Sequence, residues 1–268
     1  MTPYTVQPAT PETLADLYAL YSDPADVAKR LPTLRENIAA GRVSLDRILF
    51  LRSARGVEGT VLLPGPVRVP AFPRFRPDVP ADAMTAFAKA IREKVEPKRL
   101  LVLQDDLAPL NALALEAAGW VLDDQQVMYE TDLRARSYRL DPGAVEGSAD
   151  WLSRPEVRAL LDAEGHIDYE LAEDATMVAL EDEGRLAAFG TVSPSGRTGC
   201  ANIHLIGVLP QLRGKGLGTR LHEHLLALAA GQFTHHGGTT GTENLPMRRI
   251  YEKNGSRPTV TQMYFKQP

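Results

Sequence analysis

The sequence predicts an α/β protein made of two diverged copies of one unit of strands and helices. Three observations carry that prediction. A strand, a glycine loop and a helix follow one another between Gly199 and Ala230; a second capped helix runs from Asn244 to Gly255; and an offset of 136 residues, set by Gly119 and Gly255, lays the first half onto both.

The strand is Gly199 to Val208, a β-rich run that delivers the chain to Pro210. Simple alternation puts Cys200, Asn202, His204, Ile206 and Val208 on one face. In the loop, Gly214, Gly216 and Gly218 alternate with Lys215 and Leu217, so the backbone can turn its N–H groups toward one point at the positive end of the next helix. That arrangement holds phosphate; the bland alternative is a flexible surface turn. A nucleotide P-loop is excluded because Lys215 lies between glycines, and a dinucleotide fingerprint because the glycines are spaced two and two. Behind the loop, Leu217, Leu221, Leu225 and Leu228 mark one face of a helix. In the last helix Asn244 reads as N-cap, Pro246 suits the first turn and Gly255 supplies the stop. Asn244, Met247 and Tyr251, spaced three and four apart, share a face.

The same offset carries the glycine loop onto Phe75 to Asp82, which follows the β-like run Val67-Arg68-Val69 and precedes an amphipathic stretch from Ala83 to Val95. A short strand with a tyrosine ends each half, Val127 to Glu130 and Gln262 to Phe265. The first copy lacks what phosphate binding needs. Asp78, Pro80 and Asp82 stand where the second has Gly214, Gly216 and Gly218, and Leu115 stands where it has Tyr251. All six histidines, the single cysteine and 16 of 21 glycines follow Arg134, while charge is evenly divided, with 16 basic and 18 acidic residues through Arg134 and 14 and 16 after it. The expected domains are 1–134, a structural or substrate-shaping unit, and 151–268, the working unit. A linker, 135–150, is interrupted by Pro142, Gly143 and Gly147. Thr10-Pro11-Glu12 is expected to open the first helix of the first copy, and Ser153 with Glu156 forms a capping box for that of the second.

With 268 residues, 44% of them hydrophobic, the chain can bury two cores. A net charge of −4 gives no footprint for nucleic acid or an anionic membrane. One cysteine, Cys200, rules out an intrachain disulfide framework and fits a reducing compartment as a buried small hydrophobe. The absence of a leader pattern or long apolar run makes a soluble cytoplasmic protein the expectation. His222, His224, His235 and His236 are expected at the surface, with His224 at the edge of the leucine stripe. No pair has the i,i+4 spacing of a helical metal site, so no metal is expected. Asp168, Glu170, Glu173 and Asp174 read as a solvated acidic loop before a strand at Met177 to Leu180.

Two motifs, in order and at this spacing, resemble the GNAT superfamily of acetyl-CoA-dependent N-acyltransferases. Gln211, Gly214 and Gly216 match its Gln/Arg-x-x-Gly-x-Gly/Ala loop; Asn244, Tyr251, Glu252, Lys253 and Gly255 match its later Asn…Tyr-Glu-Lys-x-Gly helix. The likeness is close over 177–265 and loose over 145–176, and the tandem organisation resembles the mycothiol synthase family in layout alone. The resemblance implies a mixed central sheet flanked by helices in each half, acetyl-CoA as cosubstrate, an amine-bearing acceptor and direct attack of the amine on the thioester. It implies that the coenzyme meets Ile206, Gly207 and Val208 of a splayed strand, then Gln211, Arg213, Gly214, Lys215, Gly216, Leu217, Gly218 and Thr219 of the loop, with Arg220 as added positive charge, and Asn244, Met247 and Tyr251 of the last helix. Tyr251 would protonate the departing thiolate; its alternative is packing in the core beside Ile250. Members often carry a Glu or His base at the positions of Asn202 and His204, which here leaves His204, whose alternative is a satisfied structural group. Asn244 has the alternative of a plain helix cap. The rival functions are a non-catalytic acyl-CoA-binding module and a transferase for another acyl donor.

Overall fold

A computed structural model describes residues 4–65, 69–163 and 169–268. Most of the run Val67 to Val69, and Asp168 of the acidic loop, therefore lie outside the described residues. The chain divides into two compact units, Met1–Gln126 with Val260–Pro268, and Val127–Thr259.

The first unit begins with β1 (Thr5–Pro8), α1 (Pro24–Ala39), β2 (Ile48–Ser53), β3 (Gly56–Leu62) and β4 (Arg74–Phe75); the strands form an antiparallel sheet in the order β1-β2-β3-β4. The expected helix at Thr10 is only a short 3-10 turn, Leu14–Tyr18. The true start is Asp23-Pro24, where the Asp23 carboxylate accepts the Ala25 N–H at 2.8 Å and proline occupies a position that needs no donor. Next come α2 (Ala81–Lys94), β5 (Leu101–Gln104), α3 (Ala112–Ala117) and β6 (Val121–Asp132). Phe87 and Ile91 of α2 pack on Leu49, Leu51, Leu101, Leu115 and Trp120, and the Trp120 indole donates to Ala88 O at 3.1 Å.

The second unit adds β7 (Ala144–Gly147), α4 (Pro155–Ala163), β8 (Thr176–Asp182), β9 (Arg185–Pro194), β10 (Cys200–Val208), α5 (Leu217–Ala230), β11 (His235–Gly241) and α6 (Leu245–Lys253), followed by β12 (Arg257–Lys266). Its strand order is β6-β11-β10-β9-β8-β7, with β10 and β11 parallel and the pairs from β10 to β7 antiparallel. Helices cover both faces, so β8 and β9 read as unbroken buried runs rather than alternating ones. Leu221, Leu225 and Leu226 of α5 pack on Val178, Leu180, Ala201 and Ile203. Val157, Leu160 and Leu161 of α4 pack on Met177, Ala179, Phe189 and Leu205.

The observed division departs from the expected boundaries in three places. Residues 127–134, expected in the first domain, lie in the second unit, and Val260–Pro268 lies in the first, where β12 sits between β5 and β6. The expected linker contains β7, which pairs with β8 from Ala144↔Leu180 to Gly147↔Met177. Local composition hid this because β7 is short and flanked by breakers. Likewise α4 starts at Pro155, with Ser153 ending a 3-10 turn, so the expected capping box does not form the helix start.

The repeat offset is reproduced downstream of the loop. Helices α2 and α5 begin and end 136 residues apart, as do the starts of β6 and β12. Upstream the spacing is 128 from β2 to β8 and 129 from β3 to β9. The second copy spends its extra residues on longer strands, nine residues in β10 against two in β4.

Gly190 in β9 tests how tightly this sheet meets α5. A Cβ there would lie 2.7 Å from Leu205 O and 2.8 Å from a Leu225 methyl. Gly190→Ala is expected to destabilise the protein by about 1–3 kcal/mol, read as a lower urea midpoint with an unchanged slope.

Candidate active site

The parallel pairing of β10 with β11 spans three residue pairs, Cys200↔His235, Ala201↔His236 and Asn202↔Gly237. Beyond it a cleft of about 890 Å³ is lined by Ile203 to Val208 on one side and Thr239 and Thr240 on the other. Its volume is in the range of small-molecule sites, roughly 300–1,000 Å³. The loop and the first turn of α5 close one end, and α6 forms a wall.

The opening is accompanied by a bulge. Against β9, Ile203 pairs with Val192 and Leu205 with Thr191, which leaves His204 as the extra residue. The bulge overturns the expected single face of alternating residues. Ala201 and Ile203 pack toward α5 before it, Ile206 and Val208 pack toward the same side after it, and Leu205 turns to the α4 side. His204 is left exposed and lining the cleft.

Gly214 and Gly216 have φ of +81° and +80°, a conformation that glycine adopts without strain, and a Cβ at either would meet nothing within 4 Å. Gly216 caps α5 without a side-chain partner, and the first amide of this turn to donate is Arg220 N–H, to Gly216 O at 3.1 Å. The amides from Gly214 to Thr219 thus have no backbone acceptor among the described residues, at the positive end of a 14-residue helix. The cleft brings together His204, Ile206, Gly207, Val208, Arg213, Gly214, Gly216, Leu217, Gly218, Thr219, Asn244, Met247 and Tyr251. Gln211 and Lys215 do not line it. Lys215 pairs with Asp182 at 3.2 Å, and Arg220 is held bidentate by Asp141 at 2.7 and 3.0 Å. The Arg220 guanidinium holds the Asp141 carboxyl below its ordinary range. Arg213 Nε donates to Val208 O at 3.1 Å. On the wall, Asn244 Oδ1 accepts the Met247 N–H at 3.2 Å, so it caps α6 while lining the cleft.

Tyr251 is 2% exposed. Its ring stacks on Tyr129 with centroids 4.5 Å apart and meets His222 edge-on at 5.1 Å. Its hydroxyl donates to Thr239 O at 3.5 Å, and Gly238 makes room for it, since a Cβ there would fall 2.4 Å from Oη. Burial, and then the neighbouring Tyr129, push the phenol pKa up, so the group keeps its proton at neutral pH. Tyr129 in turn receives Arg248 Nε at 3.3 Å.

The histidines correct the sequence reading. His222 and His236 are fully buried and His224 is 8% exposed, whereas all were expected near the surface. The Asn254 amide donates to Thr219 O and to His222 Nδ1, both at 2.9 Å, which fixes the His222 proton on Nε2. His236 Nδ1 lies 3.1 Å from Thr131 Oγ1, which bonds Ser256 Oγ at 2.7 Å. His224 Nδ1 accepts the Asp141 N–H at 2.9 Å. Burial lowers the pKa of His236 to about 4 and, reinforced by His236 and Arg136, that of His222 well below its ordinary value. Reading the stripe as Gly218, His222, Leu225, Leu226 and Ala229 would have found His222; Tyr129 was visible only as a strand tyrosine, and Gly238 carried no signal. Cys200 is half-buried.

Residues 145–255 match the profile of the Acetyltransferase (GNAT) family. That segment is similar to the domains of this family, which is one of acyl-transferring enzymes. Among solved structures, a GCN5-related N-acetyltransferase from Sphaerobacter thermophilus is similar over 100% of this chain and 96% of its own, with 11% identity and a TM-score of 0.55. A GCN5-related N-acetyltransferase from Kribbella flavida is similar over 79% of this chain and 87% of its own, with 17% identity and a TM-score of 0.52. At these identities the likeness is one of fold. No curated protein matches the chain. Among the described residues no helix is long and apolar enough to cross a membrane, and no group of three or more His, Cys, Asp or Glu is arranged to hold a metal ion.

The buried histidines make stability depend on pH. A folded-state pKa of about 4 for His236 lies below the unfolded value near 6.5, so the unfolded chain takes up a proton that the folded one refuses. Stability is full above about pH 6.5 and falls toward pH 4, by about 2 kcal/mol at pH 5 from this residue. Urea unfolding at the two pH values checks it, and His236→Gln should lose less between them than wild type.

Proposed function

We propose that the second unit is an N-acetyltransferase that moves an acetyl group from acetyl-CoA to a primary amine by direct attack. The observation that carries this reading is the cleft itself. Unbonded loop amides at one end, a splayed strand along one side and a buried, protonated Tyr251 opposite are brought into one cavity. Such amides suit a pyrophosphate, and the cleft accepts an extended thioester arm.

In this reading both substrates are held in one site, which turns a bimolecular step into a near-unimolecular one. The amine nitrogen attacks the carbonyl carbon and the C–S bond breaks. Negative charge on the carbonyl oxygen develops beside the backbone of Ile206 to Val208, where an N–H donor stabilises it. The thiolate takes the Tyr251 proton, the surplus proton of the amine passes to His204, directly or through water, and on to solvent, and the Tyr251 phenolate regains a proton from solvent. Depression of the amine's pKa in the cleft or deprotonation by His204 is required, since an alkyl ammonium has a pKa around 10. A phenol that stays neutral supports the acid role, and exposure of His204 within the cleft supports that of base.

The first unit is read as not binding coenzyme. At the start of α2 the chain supplies its own anions: Asp82 Oδ1 accepts the Ala83 N–H at 2.9 Å, Asp78 is paired with Arg55, and Pro80 has no N–H to offer.

Calorimetric titration with acetyl-CoA tests the site. Wild type is expected to bind one equivalent. Gly214→Asp/Gly216→Asp should weaken binding at least about tenfold more than Gly214→Asn/Gly216→Asn, which has the same size and backbone cost without the charge. Absence of binding by wild type, or two sites per chain, would overturn the reading. Tyr251→Phe should lower kcat for thiol release by about 10²–10⁴ with KM little changed; unchanged turnover would remove Tyr251 as the acid, and no turnover with any amine would favour a binding module.

A further inference from the structure

The cavity reaches both faces of the sheet. On one side it is lined by the first turn of α5, from Leu217; on the other by Leu160 and Leu161 of α4, Phe189 of β9 and Leu205 of β10. The two helices lie on opposite faces, because alternate residues of β8 pack on them: Val178 and Leu180 toward α5, Met177 and Ala179 toward α4. The cavity therefore passes through the gap where β10 and β11 part. Its α4 side is apolar, and the four side chains that line it there are buried. They come up to the strand backbone itself, since a Cβ on Gly207 would lie 2.8 Å from a Leu160 methyl and 2.9 Å from Phe189 Cζ. Tyr169, packed against the same cluster, has its hydroxyl 2.8 Å from Thr191 Oγ1. The charged side chains that line the cavity, Arg213, Arg249 and Lys253, are all cationic, and among the described residues no carboxylate lines it.

A donor held by the loop amides lies on the α5 side, with its thioester beside Ile206 to Val208, and leaves the α4 side for the nucleophile. Hydrocarbon gains there by leaving water. An ammonium among those four side chains would lose its hydration without a counter-charge from the described lining. We propose that the acceptor is an apolar monoamine, whose hydrocarbon part sits among Leu160, Leu161, Phe189 and Leu205 while its nitrogen reaches the gap between β10 and β11. This deepens the reading of the cleft as an acetyltransferase site and rests on it. The nitrogen forms the amide bond as the C–S bond breaks, and the products are the N-acetylated amine and coenzyme A. The same apolar chamber selects against acceptors that carry several ammonium groups, such as polyamines, aminoglycosides and lysine-rich peptides.

The test measures thiol release from acetyl-CoA by wild type with a series of amines. From butylamine to heptylamine kcat/KM should rise about three- to fourfold per methylene. Heptylamine should exceed 1,6-diaminohexane, which carries an ammonium in place of its terminal methyl, by at least about a hundredfold. Leu160→Ala should cut the ratio of heptylamine to butylamine at least about threefold; its melting temperature checks folding, and the wild-type series decides the matter if the variant does not fold. Turnover that is indifferent to amine length, or faster with the diamine or spermidine, would overturn this proposal alone. The same series with hexanoyl-CoA separates the two sources of hydrocarbon: turnover that rises with the length of the acyl chain and not of the amine would give the chamber to the donor and overturn the assignment. No binding of acetyl-CoA, or no turnover with any amine at a site that binds it, would instead overturn the acetyltransferase reading itself.

Discussion

Everything at the site depends on the separation of two parallel strands. Strands β10 and β11 pair over three residues and then part, while β10 stays paired with β9 as far as Val208↔Ala188. One edge of a buried strand is thereby kept for something other than sheet. A backbone edge without partners is costly when sealed from solvent and useful when it borders a cavity. Here it borders one, and the bulge at His204 turns an imidazole into the same space.

The second structural theme is a buried aromatic cluster around one phenol. Tyr251 is held by a stacked Tyr129, an edge-on His222 and the gap left by Gly238. Low dielectric surroundings keep both histidines neutral and the phenol protonated, by the same physical cause acting on groups of opposite charge type. The cost of that neutrality appears as sensitivity to acid. Packing fixes the hydroxyl's position, and desolvation fixes its protonation state.

Charge is partitioned with equal economy. Carboxylates of the chain pair with Lys215, Arg220 and Arg55, whereas the amides from Gly214 to Thr219 have no backbone acceptor among the described residues. In the first unit the corresponding helix start is occupied by Asp78 and Asp82. The two helix starts thus differ in chemistry, with carboxylates at α2 and amides without a backbone acceptor at α5.

Much of this was legible in the sequence because it is local. The glycine loop, the leucine stripe of α5, the Asn244 cap and the 136-residue offset are properties of contiguous residues, and each has a counterpart in the structure. What the tertiary structure alone decided is non-local. The exchange that puts Val127–Asp132 in the second unit and Val260–Pro268 in the first follows from strand pairing between segments more than 100 residues apart. The bulge at His204 exists only against β9, and a single inserted residue reverses every side chain after it. His222 and His236 read as polar and surface-bound because the sequence does not reveal that Asn254, Thr131 and Ser256 satisfy one nitrogen of each. Local sequence set the backbone conformation of the loop and helices; the burial of these polar groups was set by partners brought from elsewhere in the chain, because hydrogen-bond satisfaction is a property of the folded neighbourhood.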